Sequence, residues 1–322
     1  MDTFLRTYRA FGLLLSSDIA LPELQPSPES RVDCRFRMHV AAADRSDAAP
    51  TTWFHESRRS DGRVWIAIGR RGTARVIRFP GVAEFTISAD GHEITGRRAR
   101  GVPLDTARHL LLDHVLPRVL DLRGALVLHA GAAATEAGAV LLLGRSGKGK
   151  STLSASLARA GFRLLGDDVI VLRETAGSWL AVPSYPGLRL WPDSALTLLE
   201  QRARSGRVAH YTNKTRGDAR RMGVKIADAP VPVVRAYVLE PAPPAEAPSV
   251  TPLSMREAFG EIVAHTFRFD PGEREALRDE LRTLARIAGA GWFRRLVVPR
   301  SYDALEAVLD AIRLDLARGA AA

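Results

Sequence analysis

Apolar and polar residues alternate in short runs through the first third of the chain. Three of these runs, each followed by a glycine-containing turn, are 64–68, 74–79 and 83–88. Alternation with a period of two predicts half-buried strands, and the short turns predict an antiparallel meander. Residues 1–98 are therefore predicted to form a smaller β-rich accessory domain. Because they carry no recognisable catalytic motif, docking of a substrate or assembly is their expected role by elimination.

A helical period replaces this alternation after residue 98. Between Pro103 and Gly124 the apolar residues recur on one helical face, and Pro117 predicts a kink. The further predicted elements are strands at 139–143 and 233–240 and helices around 255–263 and 305–316. Residues 99–322 are thus predicted to form a larger α/β domain.

Composition and charge restrict the class of protein. The chain has 322 residues, 46% of them hydrophobic, which suffices for a full core. The formal net charge is +10, but the arginines are spread along the chain without a zinc, helix-turn-helix or RNA-recognition motif, so we expect no nucleic-acid partner. No apolar run approaches the roughly 20 residues that span a bilayer, and the first residues lack a signal-peptide core. We therefore expect a cytoplasmic protein without membrane contact.

The strongest chemical signal directly follows the predicted strand at 139–143. Residues 144–151 fit the phosphate-binding pattern G-x-x-x-x-G-K-[ST], and the apolar spacing after them predicts a helix. Lys150 would supply a cation for the β- and γ-phosphates, and the Ser151 hydroxyl is the expected ligand for Mg²⁺. The expected cofactors are ATP and Mg²⁺, with these nucleotide-binding residues: Gly144, Arg145, Ser146, Gly147, Lys148, Gly149, Lys150, Ser151 and Thr152. A chance glycine-rich turn is the alternative, against which the flanking strand and helix argue.

Two adjacent carboxylates, Asp167 and Asp168, interrupt an apolar run soon after this loop. Neighbouring side chains of an extended segment point to opposite sides, so one carboxylate is expected over the nucleotide as a general base and the other near Mg²⁺. The alternative is a β-bulge or turn whose carboxylates accept hydrogen bonds from backbone amides.

The central part of the chain resembles the catalytic half of the HPr serine kinase/phosphorylase family. The resemblance rests on His129, the loop at 144–151 and the aspartate pair, which occur in the family's order at similar spacing. It implies a P-loop, HPr kinase-like core with a mixed β-sheet, in which Asp167 takes the proton from an acceptor serine. It further implies that Asp168 joins Ser151 at Mg²⁺ and that His129 lies beside the transferred phosphoryl group. A core histidine that donates to a backbone carbonyl is the alternative for His129.

Two features depart from that family's pattern. Thr152 stands where the family has an acid, and the family's Glu-Ile-Arg-Gly segment has only Arg189 as a counterpart. These departures speak against HPr itself as the acceptor and against reverse phosphorolysis. A looser resemblance, starting near residues 12–18 and covering most of the chain, is to HPr kinase-like proteins found beside biosynthetic gene clusters. Some of these resemble lasso-peptide kinases, which phosphorylate the C-terminal serine of a ribosomal precursor peptide.

A basic stretch occupies residues 202–225. Such a run is usually a solvated face, but 212–216 lacks helical or strand periodicity, which favours a loop near the γ-phosphate. Lys214 and Arg216 are the candidates for offsetting the charge that develops on the transferred group.

The sequence therefore predicts an ATP- and Mg²⁺-dependent serine kinase whose acceptor is a small protein or peptide. The resembled kinases can be hexameric, so the partners to consider include further copies of this chain. Two alternatives stay open: a small-metabolite kinase on the same core, and a nucleotide-binding regulatory or assembly protein with little transferase activity.

Overall fold

The chain folds into a mixed α/β structure, described by a computed structural model over residues 5–41, 50–270 and 272–320. It divides into two structural units. The first comprises the residues up to Ala125 together with 208–212 and 268–270, and the second comprises the remainder of the chain.

The first unit is built on one sheet. Its strands among the described residues are β1 (Arg6–Ala10), β2 (Leu13–Ser17), β3 (Gln25–Pro26), β4 (Cys34–Val40), β5 (Thr52–Arg58), β6 (Val64–Arg71), β7 (Ala74–Phe79), β8 (Ala83–Ile87) and β9 (Glu93–Arg98). Their order is β3-β1-β2-β4-β9-β8-β7-β6-β5. Strands β5 to β9 form an antiparallel meander, which confirms the three predicted strands, whereas β4 runs parallel to both β2 and β9.

Two helices, α1 (Leu104–Leu110) and α2 (Leu116–Leu122), follow this sheet and are joined by a π-helical turn at Leu111–Val115. The helix predicted over this stretch is therefore present. The wide turn comes directly before Pro117, whose ring nitrogen has no hydrogen to donate to the preceding turn. Pro117 thus marks the irregularity that the sequence predicted.

These helices belong to the first unit. His114 packs edge-on against Trp65 of β6 and Phe79 of β7, and the Arg123 guanidinium donates to the Asp33 carbonyl at 2.6 Å. The unit accordingly extends to Ala125, whereas the sequence-based boundary lies at residue 98. The helical period alone does not reveal which sheet a helix covers.

The second unit contains two sheets and five helices among the described residues. Its elements are β10 (Leu126–Leu128), β11 (Gly131–Ala134), β12 (Ala139–Leu143), α3 (Lys150–Arg159), β13 (Arg163–Gly166), β14 (Ile170–Thr175), β15 (Ser178–Val182), β16 (Gly187–Leu190), α4 (Pro192–Leu198), a 3₁₀ turn (Gln201–Ala203), β17 (Arg204–Arg207), β18 (Thr215–Asp218), β19 (Val231–Ala242), β20 (Ser249–Pro252), α5 (Met255–His265), α6 (Arg274–Ala288), β21 (Phe293–Pro299) and α7 (Leu305–Ala320). None of the helices in the described part of the chain combines the length and apolar character needed to cross a membrane.

The larger sheet of this unit is mixed. Its order is β10-β14-β15-β19-β12-β11-β13, and β21 pairs with both β19 and β20. The strands β12, β19 and β21 run parallel, while the other pairs are antiparallel. The smaller sheet has the order β16-β18-β17.

Helices cover both faces of the larger sheet. In β12, Leu141 and Leu143 pack in one core cluster with residues of α5 and α6, and Val140 and Leu142 pack in another with residues of α3 and α7. A strand that is buried on both faces is apolar throughout, which explains the unbroken run at 139–143.

Asp315 joins α7 to the sheet. Its carboxylate accepts from Arg235 Nε at 3.0 Å, from the Tyr237 hydroxyl at 2.9 Å and from Arg294 Nε at 3.4 Å. Asp315→Ala would leave these largely buried donors without their acceptor. We expect the free energy of unfolding, measured by urea titration, to fall by about 2 to 4 kcal/mol.

Asp310→Ala on the same helix is the matched control. Its carboxylate is exposed and pairs with the exposed Arg313, so the loss should stay below about 0.5 kcal/mol. Equal losses for the two variants would contradict the role given to Asp315.

Candidate active site

Three segments meet at one edge of the larger sheet because of its topology. Strand β11 runs antiparallel to both β12 and β13, so β11 begins at the edge where β12 and β13 end. His129 precedes β11, the glycine-rich loop follows β12, and the aspartate pair follows β13. The three motifs that were singled out in the sequence are therefore brought together.

The glycine-rich loop connects β12 to α3, in the predicted order of strand, loop and helix. Gly147 and Gly149 have φ angles of +82° and +98°, in the left-handed region that residues with a Cβ atom rarely occupy. Gly149 is also the N-cap of α3, and no described side chain caps the first N–H groups of that helix. Uncapped N–H groups at the positive end of a helix dipole favour an anion.

Lys150 is folded back onto this loop. Its ammonium donates to the Gly144 carbonyl at 2.6 Å and to Nε2 of His129 at 3.1 Å. Burial lowers the pKa of Lys150, while the negative charges of Asp168 and Asp167 oppose that shift. The cation is thus held beside both carboxylates.

His129 shows the hydrogen bond of the alternative interpretation made from the sequence, a histidine that donates to a backbone carbonyl. Its Nδ1 donates to the Asp168 carbonyl at 2.9 Å, so Nε2 is left to accept from Lys150. Burial lowers the pKa of His129, which makes the ring a neutral acceptor. The half-buried ring therefore links the Asp168 backbone to the lysine of the loop.

The aspartate pair lies in a bend between β13 and β14, not on the extended segment that the sequence predicted. Asp168 has a φ of +70°, and the Val169 N–H donates to the Asp167 carbonyl at 3.0 Å. Asp is among the few residues with a side chain that tolerate this left-handed conformation. The prediction of opposite faces of a strand was therefore wrong, and a turn separates the two carboxylates.

Asp167 is completely buried beside the first turn of α3. One carboxylate oxygen, Oδ2, accepts from the Arg189 backbone N–H at 3.4 Å. The other oxygen, Oδ1, has no hydrogen-bond partner among the described residues. Burial, reinforced by the charge of Asp168, raises the pKa of Asp167 to about 6.

Asp168 forms an ion pair with Arg189. Their closest atoms, Oδ2 and Nη1, are 3.5 Å apart, and 15% of the Asp168 side chain is exposed. Arg189 lies on the buried strand β16, between Leu188 and Leu190. Sequence reasoning noted Arg189 only as a fragment of a family segment, although a single arginine within an apolar strand is itself a signal of a buried charged partner.

Lys214 and Arg216 occupy different positions. Lys214 precedes β18, its ammonium lies 5.6 Å from the centroid of the Trp191 ring, and its charge lowers the pKa of Asp167. Arg216 lies inside β18, opposite Arg189 in the ladder, so the loop predicted over 212–216 ends where the strand begins at Thr215. The strand was missed because its four residues are too few to show a period.

The other predicted nucleotide-binding residues frame the loop. Arg145 and Ser146 are exposed at its tip. The Thr152 hydroxyl lies 3.0 Å from Ser194 Oγ, which lies 2.8 Å from the Tyr302 hydroxyl. The Thr152 side chain therefore contacts α4. The Thr152 backbone N–H lies in the first turn of α3.

Comparison with known proteins adds a distant likeness. No protein-family model matches the chain, and no curated protein matches it by sequence. Among solved structures, the HPr(Ser) kinase/phosphatase from Coxiella burnetii aligns over 59% of this chain and 97% of its own, with 15% identity and a TM-score of 0.31. A likeness of this degree gives no information about the activity of this chain.

The burial of Asp167 makes stability depend on pH. The folded-state pKa of Asp167 lies above the ordinary value of 3.8, so protonation of this carboxyl stabilises the folded protein. This stabilisation is fully present below about pH 4 and is lost as the pH rises through about 6. Asparagine resembles the protonated carboxyl and does not titrate. In protein free of metal and nucleotide, we expect Asp167→Asn to raise the free energy of unfolding by up to about 3 kcal/mol at pH 8 and to change it little at pH 4.

Urea titrations at the two pH values measure this difference. Asp279→Asn, which changes an exposed carboxylate on α6, should follow the wild-type curve at both. An Asp167→Asn variant that is no more stable than the wild type at pH 8 would contradict the raised pKa.

Proposed function

We propose that the protein is an ATP- and Mg²⁺-dependent kinase that phosphorylates a serine hydroxyl of a small protein or peptide. Phosphoryl transfer requires a phosphate cradle, a metal site, a base and positive charge near the transferred group. The observation that carries the proposal is the convergence of residues suited to each role beside the first turn of α3: Lys150, Ser151, Asp167, Asp168 and Arg189.

Phosphate binding is the role of the loop and Lys150. The backbone amides of the loop and of the first turn of α3 would surround the β- and γ-phosphates. Lys150 would exchange its present acceptors, Gly144 and His129, for phosphate oxygens. His129 would then keep its hydrogen bond to the Asp168 carbonyl and hold that part of the bend in place.

Ser151 and Asp167 fit a magnesium ion. The Ser151 hydroxyl is near enough to the Asp167 carboxyl to lower its pKa, and oxygen ligands of this kind are those Mg²⁺ prefers. Oδ1 of Asp167, which has no partner among the described residues, leaves further capacity in that carboxylate. When bound, Mg²⁺ would neutralise charge on the β- and γ-phosphates.

The contacts favour exchanging the roles that the resemblance gave to the two aspartates. Asp167 is completely buried near Ser151, whereas the Asp168 side chain is partly exposed. A base must come within hydrogen-bond distance of the acceptor hydroxyl. We therefore assign the base to Asp168 and the metal-facing carboxylate to Asp167, with Arg189 and Lys214 offsetting the charge that develops during transfer.

The acceptor would bind on the side of Lys214 and Trp191. Trp191 follows β16 directly, is 46% exposed and faces the Lys214 ammonium. An exposed aromatic ring beside a cation suits a peptide with an apolar side chain next to its serine and a carboxylate nearby. The C-terminal serine of a ribosomal precursor peptide, as phosphorylated by the lasso-peptide kinases, is one acceptor with such a carboxylate.

Two aspartate variants test the proposed roles. Asp168→Asn should lower the rate of transfer by about 10²- to 10⁴-fold with little change in ATP affinity, because it removes the base and keeps the loop, Lys150 and Asp167. Asp167→Asn should weaken Mg²⁺-dependent ATP binding by about tenfold or more, because it removes a metal ligand. The measurements are intact mass of HPr and of a precursor peptide ending in serine after incubation with ATP and Mg²⁺, and calorimetric titration with ATP.

Asp193→Asn, which changes a carboxylate hydrogen-bonded to Tyr302, is the control and should leave both quantities unchanged. Wild-type rates in Asp168→Asn would contradict the assignment of the base. Tight ATP binding by the wild type without phosphate on any acceptor would contradict the kinase and favour a nucleotide-binding regulator.

Trp191→Ala tests the acceptor side. We expect the KM for a peptide acceptor to rise several-fold while the KM for ATP stays constant, because the ring would contact only the acceptor. Leu314→Ala, at an exposed apolar position on α7, is the control and should change neither constant. Equal rises in both KM values for Trp191→Ala would place the ring at the nucleotide instead.

A further inference from the structure

One face of the sheet in the first unit carries arginines that the proposed chemistry does not use. Along β4, the buried side chains of Cys34 and Phe36 alternate with the exposed side chains of Arg35 and Arg37, and the exposed His39 continues the alternation. Successive side chains of a strand point to opposite faces of its sheet. Arg35, Arg37 and His39 therefore lie together on the face that is turned away from the core.

Strand β9 extends this face. It runs parallel to β4, and its register places Arg97 beside His39 and Thr95 beside Arg37. Arg97 is half-buried on its strand. We call the group formed by Arg35, Arg37, His39 and Arg97 the basic face.

The basic face has no ion-pair partner among the described residues. Its three guanidinium groups and the His39 ring form neither hydrogen bonds nor ion pairs with the described part of the chain. Glu93 is the neighbour of Arg35 in the ladder, but the two side chains form no ion pair. Like charges on neighbouring strands are unfavourable unless an opposite charge joins them. The surface therefore keeps an excess of positive charge.

Elsewhere on the same face of the sheet the arginines are paired. Glu84 of β8 is opposite Arg97 in one ladder and opposite Arg78 in the other. Its carboxylate accepts from Arg78 Nε at 2.7 Å and from Arg71 Nη2 at 3.0 Å. The acid nearest to Arg97 in the ladder is thus already bound by two other arginines.

We infer that the basic face is the docking surface for an acidic protein segment in an extended conformation. Alternate residues of a strand are separated by roughly 6.6 Å, and alternate side chains of an extended peptide have the same separation. Carboxylates at alternate positions of such a segment would come opposite Arg35 and Arg37. Guanidinium groups bind carboxylates through paired hydrogen bonds, and Arg97 would add a third contact from the neighbouring strand.

A protein segment fits this surface better than a nucleic acid. Proteins that bind single strands stack the bases on exposed aromatic rings. The ladder neighbours of Arg37 across β9 and β8 are Thr95 and Thr86, which have no ring. Trp53 of β5 has the Arg78 guanidinium 4.6 Å from its ring centroid, so that face of the ring is already covered.

Fluorescence anisotropy with two labelled peptides of about ten residues, long enough to span β4, tests the inference. Glutamate alternates with threonine in one peptide, and glutamine replaces glutamate in the other. The wild-type protein should bind the glutamate peptide more tightly by about tenfold or more, and should release it as the ionic strength rises from about 0.05 M to about 0.5 M. Arg35→Gln/Arg37→Gln should weaken this binding about tenfold.

Arg163→Gln/Arg173→Gln is the matched control, because it removes the same charge from exposed strand positions of the second unit and should bind the glutamate peptide as the wild type does. Equal losses in the two double variants, or equal wild-type affinity for the two peptides, would overturn the inference. Tighter binding of single-stranded DNA than of the glutamate peptide would overturn the protein partner in favour of a nucleic acid. All titrations omit ATP, so the outcome is independent of the proposed kinase activity.

Discussion

The site depends on the close packing of a buried carboxylate, a partly exposed carboxylate, a buried ammonium and a buried guanidinium. An isolated charge in such a place would cost several kcal/mol, and only mutual pairing makes the burial tolerable. Lys150 lies beside both carboxylates, and Arg189 contacts both through its backbone or side chain. The charges of the cluster are balanced. Oδ1 of Asp167 nevertheless has no hydrogen-bond partner among the described residues, and the pKa of Asp167 is raised. A carboxyl group whose pKa is raised by burial and by a charged neighbour in this way marks a candidate functional site.

The backbone conformations that hold this cluster lie at strand ends. Gly147 and Gly149 occupy left-handed conformations after β12, and Asp168 does so after β13. Because β11 is antiparallel to both strands, the two irregular segments lie at the same edge of the sheet. Regular hydrogen bonding in the sheet can then support unfavourable local conformations directly beside it. The arrangement keeps the reactive groups on a rigid frame while leaving the loop open to a phosphate.

The smaller sheet completes the site from a different part of the chain. Strand β16 carries Arg189, the residue before β18 is Lys214, and Trp191 follows β16. The two aspartates and the proposed acceptor side are thereby linked through one short sheet. A change in that sheet would alter both the positive charge near Asp167 and the position of the exposed Trp191 ring.

The sequence by itself determined the local elements of the core. Glycine positions, an apolar run and a helical period are properties of neighbouring residues, so the strand, loop and helix around Lys150 were predictable, as was the meander of the first unit. Only the tertiary structure decided that Arg189 pairs with Asp168, that Lys214 and not Arg216 precedes the short strand, that the aspartates lie in a bend, and that α1 and α2 belong with the first sheet. These features depend on strand order, register and the packing of segments distant in sequence, which no local pattern encodes.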